Sequence, residues 1–192
     1  MIRLMIKNEL HRVSTELDTN GYSLTSFDQL GLKFDPDLAA ELCATVEKFG
    51  SGQAALELTK HIEKKDMTIV QDEQALALGR LMVKPAVDAL FAETPRALNN
   101  WALYGVNRYE TGGAFGAHQD STGATVLIVT ASGVRNFDVY KKGQDGEVER
   151  SFLLKAGSVM ILDGQMDPSH AVSCIEGPSV SAVLDVPDLL RP

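Results

Sequence analysis

Cysteine is nearly absent from this 192-residue chain, which holds only Cys43 and Cys174. Two isolated cysteines exclude a disulfide framework and any cysteine-rich metal site, and predict reduced, half-buried thiols. Long apolar runs are missing as well. The longest, around Ala124–Ala131, falls far short of the about 20 residues that a membrane helix needs. Met1–Leu10 is apolar but broken by Arg3, Lys7 and Glu9, so no signal-peptide core is expected. These absences predict a soluble, cytoplasmic protein with no membrane partner.

Positive charge is in short supply, with 18 Lys and Arg against 26 Asp and Glu, a net charge of −8. The adjacent basic pairs are Lys64-Lys65, between Glu63 and Asp66, and Lys141-Lys142, followed by Asp145, Glu147 and Glu149. Both read as solvated surface rather than a phosphate-binding face, which disfavours nucleic acid as a partner without excluding a local patch. Aromatic residues are few, at 6%, and the N-terminal half shows no basic, aromatic-laced segment suited to a nucleotide.

The rest is ordinary. Apolar residues make up 44% and charged residues 23%, which is globular and suits a single domain over 1–192. Residues 1–95 read as mainly helical. Ile6–Leu17 spaces Leu10, Val13 and Leu17 along one helix face up to Thr19-Asn20-Gly21. Tyr22–Phe27 is a short strand. Asp35-Pro36 opens a helix that runs to Phe49 and exits at Gly50. Gln53–Ile62 is a weaker helix, and Glu73–Phe91 a longer one with a kink or break expected at Pro85. Residues 96–192 read as β. Strand-like runs follow at Trp101–Tyr109, Thr125–Thr130, Arg135–Tyr140, Glu149–Leu154, Ser158–Leu162, His170–Ser173 and Val180–Val186, an α+β arrangement with an antiparallel sandwich or barrel.

Histidine is the scarce residue that points to chemistry, with His11, His61, His118 and His170. His11 and His61 lie in charged helical stretches and read as surface. His118 begins His118-Gln119-Asp120, and residues two apart on a strand share a face, so imidazole and carboxylate can meet on one ion. His170 is the available third ligand. Two nitrogens and one carboxylate on one face of an octahedron leave three open positions, the arrangement of non-haem Fe(II) sites that use O₂. Asp is common enough that the triplet alone is weak evidence. Its setting strengthens it: Asn107-Arg108-Tyr109-Glu110, then Gly112-Gly113, precede it, and a β-run follows. Met160 and Met166 read as core filler, Trp101 and Tyr104 as packing on the strand leading to Asn107, and Asp163 and Asp167 as turn residues.

This order of motifs resembles the Fe(II)/2-oxoglutarate dioxygenases, closest to their AlkB-like branch. Arg135-Asn136-Phe137, Leu153–Val159, Asp163-Gly164 and His170 continue the likeness, which covers about Trp101 to Val186. The resemblance implies a double-stranded β-helix core of the jelly-roll or cupin-like kind, with the N-terminal helices bracing one face. It implies His118, Asp120 and His170 as Fe(II) ligands, and Asn107 and Tyr109 near the 2-oxoglutarate, with O₂ at the remaining site. Arg108 points the other way on its strand and is expected in a structural ion pair. The family places an Arg shortly after the distal histidine to grip the far carboxylate of 2-oxoglutarate, where this chain has Ser179. Arg135, assisted by Ser181, is the candidate replacement. The reaction implied is hydroxylation of a C–H bond with release of succinate and CO₂. Asp120 argues against a halogenase, which needs that position vacated. A small-molecule substrate is favoured, with demethylation of an alkylated nucleobase as the alternative and a non-catalytic β-helix binding module as a second.

Overall fold

The computed structural model of the chain describes residues 2–49, 64–92, 101–120, 123–141 and 146–186. The helix expected at Gln53–Ile62, and His61 within it, lie outside the described residues. Helix α1 covers Ile2–Asn20 and turns Val13 and Leu17 inward. It ends where Gly21, at φ +79°, donates its N–H to the Leu17 carbonyl at 2.9 Å, a left-handed cap that glycine adopts without strain. A half-buried ionic network ties α1 to strand β1, Tyr22–Ser26. Arg12 donates to Glu9, to Glu16 and to the Leu24 carbonyl, while Glu9 and Glu16 accept from Thr25 and Ser23 of β1.

Helix α2, Pro36–Glu47, is started by Asp35, whose carboxylate accepts from the Asp37 and Leu38 amides, with Pro36 at the first helical position. Helix α3, Glu73–Leu90, is capped in the same way by Asp72. It runs through Pro85 without the expected break. The carbonyl freed there is that of Leu81, one turn back, on the face where Leu81 is 59% exposed and water can serve as donor.

The other strands are β2 Lys64–Val70, β3 Ala102–His118, β4 Thr125–Tyr140, β5 Val148–Lys155, β6 Ser158–Leu162 and β7 His170–Val186. All pairings are antiparallel, in the order β1-β6-β4-β7-β3-β2, with β5 also on β4. Several expected strands merge. Trp101–Tyr109 continues past Gly112-Gly113 to His118, so those glycines form a bulge rather than a chain reversal. Thr125–Thr130 joins Arg135–Tyr140, and His170–Ser173 joins Val180–Val186. The N-terminal portion also supplies β1 and β2 to the sheet, so it is less purely helical than its sequence suggests.

The ladder is irregular at one common level, between Tyr109 and Ala114 in β3, Thr130 and Arg135 in β4, and Glu176 and Ser179 in β7. There the three long strands pass from a larger sheet, which holds β1 and β6, to a smaller one, which holds β5. The interior between the sheets contains Val126, Ile128, Met160 and Leu162 from the larger and Phe115, Phe137, Val139, Val172 and Leu154 from the smaller. The outer face of the larger sheet, through Val106, Leu127, Val129, Ala182 and Leu184, packs on Val13, Leu42, Val46, Val83 and Val87 of the helices. Each fully buried Val or Leu there contributes about 1.5–3 kcal/mol. This is a double-stranded β-helix with helices on one face.

Gly133 makes the crossing in β4 possible. It has φ +71°, and a Cβ there would lie 2.6 Å from the Glu176 carbonyl oxygen and 2.6 Å from the Ser179 Cα, both main-chain atoms. Gly133→Ala combines left-handed strain with a backbone clash, so we expect it to destabilise the fold by about 2 kcal/mol or more. A urea denaturation midpoint within error of the parent would show that the crossing is not so constrained.

Candidate active site

Three strand ends meet at the open end of the β-helix. His118 closes β3 and faces His170, the first residue of β7, which in turn faces Val139 of β4. The imidazole rings are 4.2 Å apart between centroids. Asp120 lies beyond the end of β3, not on the strand as its spacing suggests. What returns its carboxylate to the histidines is Asp167, which sits at φ +43° and accepts the Asp120 N–H at 3.0 Å, while its carbonyl accepts from the Gln119 side chain at 2.6 Å. Asp167 therefore does more than shape a turn: it holds the main chain of Asp120, and its charge acts on both histidines. Asp120 then stands 3.7 Å from His118 Nε2 and 3.8 Å from His170 Nε2.

Both rings are held in one orientation. His118 Nδ1 donates to the Gly116 carbonyl at 2.8 Å and His170 Nδ1 to the Pro168 carbonyl at 3.0 Å. A carbonyl only accepts, so the proton is on Nδ1 in each ring and both Nε2 lone pairs are free. Phe137 stacks on His170 at 4.9 Å with planes 14° apart, and Phe115 lies 4.1 Å from His118. One donor atom from each of His118, Asp120 and His170 lies within 4.8 Å of the others. Two neutral imidazole nitrogens and a carboxylate, with no competing basic group among them, suit a divalent first-row metal.

The second group of residues is at the closed end, where the strands cross. Arg135, Phe137 and Val139 alternate inward along β4, and Arg135 is 1% exposed. Its guanidinium reaches the larger sheet, donating to Ser181 Oγ at 2.8 Å and Thr130 Oγ1 at 2.9 Å, with the Tyr109 ring 5.6 Å away. Its Nε has no partner, and no carboxylate reaches it among the described residues. Asn107 and Tyr109 share the inner face, opposite Ser181 and Ser179. The Asn107 Oδ1 is buried and unpartnered. Burial pushes the Tyr109 hydroxyl up to about 12, against the lowering effect of Arg135. Ser179 donates to the Ser132 carbonyl and carries no charge to this pocket. Arg108 points outward and pairs with Glu110.

Thr130 and Asp185 are absent from the sequence reading. Thr130 has no local signal, since its role comes from facing Ser181 across the ladder. Asp185 sits on β7 opposite Val126, at the open end, and burial with the nearby Asp120 charge pushes its carboxyl up to about 6. Tyr104 is close to both carboxylates, and Trp101 packs against the helix-side core.

Burial holds His118 and His170 down to about 4, with His170 adding to the effect on His118, and burial raises Asp120. The imidazoles are therefore neutral at pH 6 in the metal-free protein. Their folded values lie below the about 6.5 of an unfolded histidine, so the unfolded chain takes up more protons and stability falls as pH drops from about 6.5 toward 4. Titration of the ring protons by NMR should place both midpoints well below 6.5.

No family model matches the sequence, and no curated protein does. Solved structures do match. A prolyl hydroxylase from Trichoplax adhaerens, in complex with a hypoxia inducible factor peptide fragment, superposes with a TM-score of 0.63 at 15% identity, over 95% of this chain and 91% of that one. OsALKBH1 gives 0.53 at 13% identity, over 86% and 97%. An oxidoreductase of the 2OG-Fe(II) oxygenase family from Burkholderia pseudomallei gives 0.54 at 13% identity, over 92% and 88%. At such identities the likeness is one of architecture, and the chain has the fold of the Fe(II)/2-oxoglutarate oxygenases.

Proposed function

We propose that this chain, working as one domain, is an Fe(II)/2-oxoglutarate-dependent oxygenase that hydroxylates a C–H bond of a small molecule inside the cell. The observation that carries the reading is the buried Arg135 guanidinium, which has no counter-anion among the described residues. A desolvated cation beside neutral hydroxyls calls for an anionic partner, and a dicarboxylate entering from the open end would supply one. His118, Asp120 and His170 would hold Fe(II), and Arg135 with Ser181 and Thr130 would grip the far carboxylate of 2-oxoglutarate. The hydroxyls keep the guanidinium in position, and Tyr109 stays protonated beside it as a neutral wall. Asn107 lines the path between the two ends. Bound in this way, Fe(II) with 2-oxoglutarate and O₂ would supply the oxidation that turns a C–H bond into C–OH, one oxygen atom going to the substrate and the other to succinate, with CO₂ released.

The residues of the chain bind, orient and exclude water. The Gly116 and Pro168 carbonyls keep both imidazoles metal-ready, and Phe115 and Phe137 limit water at the rings. A net charge of −8 and an acidic open end favour a small molecule over a phosphate backbone. The two described free cysteines suit a reducing compartment.

Anaerobic addition of Fe(II) and then 2-oxoglutarate should give a weak visible charge-transfer band, and no band would mean that the keto acid does not chelate the metal. His170→Ala should abolish tight Fe(II) binding with the fold retained. Arg135→Ala should leave Fe(II) binding nearly unchanged while weakening 2-oxoglutarate by a factor of hundreds, since losing one partner of a buried charge pair costs about 3–5 kcal/mol. Arg135→Lys should recover part of the affinity by keeping the charge and losing the planar fork. Equal 2-oxoglutarate affinity in all three proteins would remove Arg135 from the site.

A further inference from the structure

We infer that the substrate carries a cationic nitrogen, an alkylammonium or guanidinium group, and that Asp185 at the open end of the β-helix binds it. The inference rests on the oxygenase reading above and extends it to the class of substrate. Asp185 lies on the larger sheet, four residues beyond Ser181 on the same alternating inner face of β7, roughly 13 Å along the strand at ~3.3 Å per residue. Its neighbour across the ladder, Val126, belongs to the interior cluster, and Val183, two residues back, packs against that cluster. The alternate residues Leu184 and Val186 face the helices instead. Asp185 therefore looks across the mouth of the β-helix toward the smaller sheet, where His118 and His170 stand. The influence of the Asp120 charge on Asp185 agrees with that placement.

No hydrogen bond or ion pair reaches the Asp185 carboxylate among the described residues, and Tyr104 is the polar side chain beside it. Charge balance sharpens the argument. With a divalent metal and 2-oxoglutarate in place, the metal and Arg135 together offset Asp120 and the two carboxylates of the cosubstrate. Asp185 and Asp167 are the acidic groups left outside that balance, and Asp185 is the one that stands across the mouth from the histidines. A neutral or anionic substrate would leave it desolvated and unpaired, whereas a cationic nitrogen supplies both the charge and the N–H donors that the Asp185 carboxylate lacks. Free amines and guanidines offer this chemistry, and so do Lys and Arg side chains within a peptide.

The test uses the full chain loaded with Mn(II) in place of Fe(II), with 2-oxoglutarate, at pH 8. The probes are Nα-acetyl-lysine amide against its Nε-acetylated counterpart, agmatine, and a lysine-rich peptide of the same side chains. Paramagnetic broadening of probe protons by Mn(II) reports both binding and nearness to the metal. We expect the cationic probes to bind roughly 10- to 100-fold more tightly than the neutral counterpart, as a charge-assisted pair allows. Asp185→Asn should abolish that preference and Asp185→Glu should keep it. Stronger broadening of the free lysine derivative than of the peptide assigns a small amine, and the reverse assigns a protein side chain. Equal binding of acetylated and free amine by the parent protein, which needs no variant, would overturn the proposal, as would a preference that survives Asp185→Asn. The 2-oxoglutarate dissociation constant, measured on the same samples, reports separately on the oxygenase reading: no 2-oxoglutarate binding would sink that reading, whereas 2-oxoglutarate binding without amine preference sinks this one alone.

Discussion

Taking a guanidinium out of water is opposed by several kcal/mol of lost hydration, and Arg135 is 1% exposed with only neutral hydroxyls as partners. Burial lowers the basicity of the group, and no carboxylate among the described residues stands beside it to offset that. The position is fixed by topology. Arg135 lies just past the level at which β3, β4 and β7 cross between sheets, so its side chain spans from the smaller sheet to Thr130 and Ser181 on the larger one. Gly133 makes the close main-chain approach there possible. The fold thus holds a cation at the closed end of its interior, and the use of that interior follows from what must balance the cation.

The donor set at the open end is built by different means. His118 and His170 are placed by strand pairing, which sets them opposite each other where β3 ends and β7 begins. Asp120 is placed by side-chain chemistry, through the Asp167 carboxylate that accepts its amide hydrogen. Rigid ladder positions for two ligands and a loop position for the third give a site in which the carboxylate can adjust while the imidazoles cannot. Each ring is fixed from behind by a carbonyl two residues earlier in the chain and from the side by an aromatic ring. An imidazole so held keeps its lone pair directed inward whether or not an ion is present.

Much of this was legible in the sequence, and the parts that were not share a cause. The alternation of Arg135, Phe137 and Val139 exposes an inward-facing basic residue, and the shortage of histidines leaves few combinations for a metal. Gly112-Gly113, Gly133 and Gly177-Pro178 read locally as chain reversals, yet pairing across the sheet uses them as crossings inside long strands. Strand β2 is hidden because Lys64-Lys65-Asp66 reads as solvated charge, while its last residues, Met67–Val70, are too few to announce a strand. Pro85 reads as a break because sequence does not reveal that the carbonyl it frees faces water. In each case the missing information is the partner: what pairs with, covers or solvates the residue.

The same limit explains why Thr130 and Asp185 carry no sequence signal, and it shows what they add. Along the inner face, the closed end offers a cation with hydroxyl partners and the nearby Asn107 amide, and the open end offers the imidazole nitrogens and Asp120 with Asp185 and Tyr104 across from them. Such a gradient orders ligands by charge as well as by shape. On the proposed function, a dicarboxylate would be drawn toward Arg135 with its keto acid end near the histidines, and a molecule with a positive end would be drawn to the mouth. The two attractions would act from opposite ends of the inner face, each favouring the ligand of opposite charge. A single inner face would thereby separate cosubstrate from substrate by charge.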